Sequence, residues 1–217
     1  MKLVDELAAE HERIESVAGA FRTYARRRAA HQAPRADGVR FVEFFRTYAG
    51  EFHHAREEDV RFVALRERAE LPGDRGPIAA IVEDHRRMAQ LLDRLAPLVA
   101  GDDGRCAEML DLALRYTEVL WHHIDAETSV LLPESVVRLR RHAVAELEGR
   151  PPTAEEAAAG AHGEALLASY PPGSEPEVLR GDGCIACPSY ERNCRGLERE
   201  WWNEWEWEEF EDHLPSG

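Results

Sequence analysis

Apolar residues recur three and four apart over long stretches of this chain, the spacing that lines one face of an α-helix. Strand signals are scarce, with no Asn-Gly or Asp-Gly pair between alternating apolar runs. In the first segment Val4, Leu7, His11, Ile14, Ala18, Phe21 and Ala25 fall on one stripe. A loop around His31 to Gly38 ends it, and a second helix carrying Phe41, Phe44, Phe45, Tyr48 and Phe52 runs toward Leu71. Pro72, Gly73, Gly76 and Pro77 break the chain. The third helix has Ile78, Ile81, His85, Met88, Leu92, Leu95 and Val99 in register, and the fourth has Ala113, Tyr116, Leu120, His123, Glu127 and Val130. Pro133 then predicts a bend, with helix continuing to about Gly149. Amphipathic helices of about twenty to thirty residues joined by short breaks predict an all-α fold, an antiparallel up-down four-helix bundle, over residues 1–148.

The remainder reads differently. Residues 149–180 turn to Pro, Gly, Ala and Glu with little apolar periodicity, a linker draped over the bundle or partly disordered. Residues 181–217 form a Cys/Trp-rich C-terminal tail holding Cys184, Cys187 and Cys194, then Trp201, Trp202, Trp205 and Trp207 among glutamates. The cysteine spacing has half the form of a zinc or cluster site, with His213, His162 or Cys106 as a completing ligand; a redox dithiol and three unrelated thiols are the alternatives. The indoles call for burial against the bundle, a second copy or a partner protein, because so much apolar ring surface is costly in water.

Charge narrows the partners. Twenty-seven Lys and Arg against 42 Asp and Glu leave a formal charge of −15, which repels phosphate backbones and anionic headgroups, so no nucleic acid is expected. The first twenty residues lack a signal-peptide core and no run is long enough to span a bilayer, so no membrane association and a cytoplasmic location are expected. Four cysteines in a chain of this length do not make a disulfide framework, whereas ten histidines point toward ligands.

Two of the predicted helices repeat a chemical phrase, FHHAREED at residues 52–59 and WHHIDAET at 121–128. His and Glu four apart lie one turn apart on one helix face and can reach a single ion together. His53 with Glu57 on helix two, His123 with Glu127 on helix four, and lone histidines His11 and His85 give every helix a ligand for the bundle axis. Imidazole and carboxylate without thiolate suit iron, manganese or zinc, and this set suits a carboxylate-bridged iron pair better than tetrahedral structural zinc. His54 with Glu58 has the same spacing and is the competing register; Val60 and Phe62 match Val130 and Leu132 in the preferred one, and Arg61 speaks against it. His54, His122, Glu58 and Asp59 otherwise read as solvated groups or as partners orienting the ligating imidazoles. Tyr48 and Tyr116 read as packing, with a hydrogen bond to a bound oxygen species as the rarer alternative.

His, His-x-x-x-Glu, His, His-x-x-x-Glu, in order on four helices, resembles the hemerythrin-like (HHE cation-binding) family, and HHAREEDVRFVAL resembles a helix-two signature of its bacterial members. The resemblance implies His11, His53, Glu57, His85, His123 and Glu127 as ligands of two irons per chain, bridged by carboxylates. It implies binding or sensing of dioxygen, peroxide, nitric oxide or iron and redox state, with peroxide or nitric oxide turnover as the enzymatic form. A non-catalytic iron store or scaffold with a partner-binding Trp-rich tail is the alternative. Oxygen carriers of the family place a second histidine one turn after the first on helix three, where this chain has Ala89, so reversible carriage is not expected.

Overall fold

In a computed structural model the described residues are 1–172 apart from Arg75, Asp102 and Asp103. The Cys/Trp-rich tail, with Cys184, Cys187, Cys194 and its tryptophans, lies outside the described residues. Among the described residues the secondary structure is entirely helical, and no helix is long and apolar enough to cross a membrane.

Helix α1 (Lys2–Ala29) ends as His31 enters the left-handed region at φ 58°. Pro34 then sits in extended backbone just ahead of α2 (Arg35–Glu43). This second rod continues through two stretches of wide, π-helical turns, Phe44–His54 and Glu57–Arg61, into α3 (Phe62–Ala69). Glu70, left-handed at φ 55°, closes it, and the Leu71 N–H donates back to the Leu65 carbonyl at 3.0 Å. Helix α4 (Gly76–Ala100) forms the third rod; α5 (Cys106–Ala126), a wide turn at Glu127–Leu131 and α6 (Leu132–Arg141) form the fourth. Pro133 falls in the first turn of α6, directly after the wide turn at Glu127–Leu131.

The fourth rod stops earlier than its pattern predicts. Arg138, Arg140 and Arg141 occupy the last turn, Ala143 goes left-handed at φ 59°, and the chain is non-helical from Val144 to Gly149. Val144 and Leu147 bury in the apolar core beside Leu3, whose N–H donates to the Leu147 carbonyl at 3.1 Å. That tertiary burial replaces the remaining helical turns.

Helix α7 (Ala154–Leu167) lies inside the stretch read as linker, packed across α1, α2 and the wide turns after α2. Thr153 caps it: the Glu156 N–H donates to Thr153 Oγ at 3.2 Å, and the Thr153 N–H donates to the Glu156 carboxylate at 2.7 Å. Arg150 donates to both oxygens of Glu156 at 2.6 Å each. Beyond the helix, the Tyr170 hydroxyl donates to Asp37 at 2.6 Å and Arg27 donates to the Ser169 carbonyl at 2.9 Å.

The Arg150 guanidinium, helped by the Thr153 N–H, holds the Glu156 carboxyl down at about 2. A depressed folded-state value means the contribution is complete above the ordinary carboxylate range and is lost as pH falls through about 2. Glu156→Gln is expected to cost about 1 kcal/mol at neutral pH, and less or nothing at pH 2. Urea unfolding at both pH values checks it; an equal cost at both contradicts the ion pair.

Every stripe residue named for the first and third helices is buried. The apolar core falls into two clusters. One holds Ile14, Phe45, Met88 and Leu120 with their neighbours; the other holds Leu7, Phe62, Ile81 and Leu131. On each rod the switch from one cluster to the other comes at the histidines, so a polar layer separates two apolar halves.

Candidate metal centre

Four rods deliver imidazoles or carboxylates to this layer. His11 comes from α1, His53 and His54 from the first wide-turn stretch and Glu57 from the second, His85 from α4, His123 from α5 and Glu127 from the turn that follows. All seven are buried. They sort into two groups, His11 with His53, Glu57 and Glu127, and His54 with His85 and His123, each with ligand atoms within 4.8 Å of one another.

The glutamates join the groups. Glu57 Oε2 lies 3.8 Å from His53 Nε2 and 3.4 Å from His85 Nε2. Glu127 Oε2 lies 3.3 Å from both His11 Nε2 and His123 Nε2. One oxygen of each carboxylate therefore reaches a histidine of either group. The outer oxygens of both glutamates face Arg61, at 2.9 Å for Glu57 and in still closer contact for Glu127.

Outward nitrogens are held by separate partners. His11 Nδ1 pairs with Thr128 Oγ at 2.8 Å, His53 Nδ1 with Glu10 at 2.8 Å and His85 Nδ1 with Glu58 at 2.7 Å. Glu10 is in turn gripped by Arg56, which also binds Glu6. Fixing Nδ1 sets the tautomer and aims Nε2 inward. At the centre, the Nε2 atoms of His11, His85 and His123 and the Oε2 atoms of Glu57 and Glu127 are buried with no hydrogen-bond partner. Orphaned buried acceptors cost too much to be left so by chance, and converging nitrogen and oxygen acceptors suit cations. The residues present fit metal ions.

Electrostatics prepare the His53 and His54 nitrogens as acceptors, whereas His85 holds a proton in the ion-free protein. Burial, reinforced by neighbouring imidazoles, pushes His53 and His54 well below the ordinary histidine value, leaving them neutral as ligands must be. Burial pushes Glu127 up, but Arg61, His123 and His11 outweigh it and hold the carboxyl well below its usual range. Burial alone lowers His85, yet Glu57 and Glu58 bring it up to about 9, so cation loading there displaces a proton.

The structure thus brings together all six residues read as ligands, and adds His54. The two candidate registers on helix two are not alternatives. His53 and Glu57 face the centre, His54 faces the second group, and Glu58 turns outward to hold His85. Consecutive residues on an α-helix point about 100° apart, and a π-helical stretch takes a smaller step, so neighbouring histidines here can serve two groups across one layer. His54 stacks on His85, with ring centres 3.8 Å apart and planes at 11°. His122 is exposed, and the Tyr48 hydroxyl accepts from Arg13 at 2.7 Å, outside both groups. A cavity of about 420 Å³ adjoins the His54 group, lined by Phe45, His54, His85, Met88, Ala89 and Tyr116 among others. Ala89, the position without a second histidine, borders this space.

A family model described as the hemerythrin HHE cation binding domain matches residues 2–135 of the chain. Neither the curated proteins nor the solved structures compared with it gave a match.

Proposed function

Because the chain belongs to the hemerythrin HHE cation-binding family, we propose that its four rods form an antiparallel up-down bundle around two irons. In this reading His11 and His53 would hold one iron and His54, His85 and His123 the other, with Glu57 and Glu127 offering carboxylates to both. The observation that carries it is the set of buried, partnerless Nε2 and Oε2 atoms converging from separate helices. Bound iron would supply one-electron chemistry toward a small oxidant. The chain supplies orientation through Thr128, Glu10 and Glu58, and a buried setting that limits water.

We read the centre as one that binds or senses dioxygen, peroxide or nitric oxide, or reports iron and redox state. The His11 group offers two imidazoles and the other group three. Metal analysis of the iron-loaded protein is expected to give about two irons per chain. Its visible absorption is expected to change when air, peroxide or nitric oxide is admitted to the anaerobic sample. Fewer than two irons contradicts the paired centre; two irons with a spectrum indifferent to all three contradicts sensing and leaves storage.

A further inference from the structure

Arg61 is the largest fully buried side chain among the described residues, at 0% exposure. A cation is expensive to bury, and its Nε and Nη1 have no hydrogen-bond partner. Nη2 alone makes its ionic contacts, to Oε1 of Glu57 at 2.9 Å and to Oε1 of Glu127. The guanidinium also lies over the Phe62 ring, 4.7 Å from its centre. Glu57 and Glu127 are themselves 0% exposed. Burial lowers Arg61's hold on its proton, but the two carboxylates more than restore it.

Resting on the two-ion reading above, we propose that Arg61 is the internal counter-cation of the centre, a positioning residue acting through both glutamates. Without ions, two buried carboxylates in one layer would repel each other and draw protons or water. Arg61 pairs with their outer oxygens and leaves Oε2 of each pointing at one histidine of either group. The layer is therefore assembled before an ion arrives. Once ions are bound they supply the missing positive charge themselves, and the guanidinium matters less.

The test is thermal unfolding of the full chain, metal-free and with Zn²⁺, which has no redox chemistry to confuse the reading. Arg61→Met keeps the bulk and removes the charge. The metal-free midpoint is expected to fall by about 10 °C, and Zn²⁺ is expected to restore at least half of that fall. The Zn²⁺-induced rise is then larger in the variant than in the parent. Arg61→Lys, which keeps the charge, is expected to lie between them. An Arg61→Met chain that folds only with Zn²⁺ is the same result in stronger form. Equal losses with and without Zn²⁺, or a chain that stays unfolded in both, overturn the counter-cation role and make Arg61 a packing residue. If Zn²⁺ fails to stabilise the parent protein, the two-ion reading falls and takes this role with it; equal losses in a parent that Zn²⁺ does stabilise overturn the role alone.

Discussion

His54→Ala is expected to weaken the binding of one of the two irons by at least about 10- to 100-fold, so that a chelator strips roughly one ion per chain from the variant under conditions that leave the parent loaded. His54 is the one imidazole that the second rod gives to the group with His85 and His123, and its loss leaves that ion with two imidazoles and the shared carboxylates. Disturbing a residue that merely orients a ligand typically lowers metal affinity by about 10- to 100-fold, so loss of a ligand should cost at least that. The His11 group keeps both its histidines, and one ion should remain. His122→Ala is the matched control, since that residue is exposed beside His123 and should leave the content unchanged. Metal analysis after the chelator, with circular dichroism on both variants, decides it. Full iron retention in His54→Ala, with helicity intact, would remove His54 from the ligand set.

The second large effect is structural. Gly163→Val is expected to destabilise the protein by about 2–4 kcal/mol, because a Cβ at that position would collide with the edge of the Phe44 ring. Phe44 is itself fully buried, with its ring 5.3 Å from Phe45 and 5.2 Å from Tyr48, so it has nowhere to retreat. Helix α7 must lift off, exposing the aromatic surface it covers. Urea unfolding measures the loss, and a variant as stable as the parent would show that α7 contributes little to holding this side of the core.

These two residues mark the limits of what the sequence could tell. The helices of the first and third rods were legible because their apolar stripes are regular and every stripe residue went into the core. The repeated His-x-x-x-Glu phrase was legible for the same reason: four-residue spacing is local geometry. The role of His54 was not. An α-helical step cannot face two consecutive residues into one site, so the sequence presented a choice between registers, and the wide turns at Phe44–His54 removed the need to choose.

Arg61 was hidden by its type, since a charge in an amphipathic pattern reads as surface and only its two buried carboxylate partners explain it. Helix α7 was hidden by composition. It contacts the core through Ala159, Gly160, Gly163 and Leu166, mostly small residues that make only a faint apolar stripe. Thr153-x-x-Glu156 was its one legible signal, a helix-start signature that the Pro- and Gly-rich surroundings obscured.

The division of the apolar core also bears on access to the layer. Among the described residues, packed apolar clusters lie on either side of the histidine layer. The space bordered by Ala89 and Tyr116 opens on the flank, between the second and third rods, and ends on the His54 and His85 rings. On the two-iron reading proposed above, the half of the centre that borders this space is the one with three imidazoles, His54, His85 and His123.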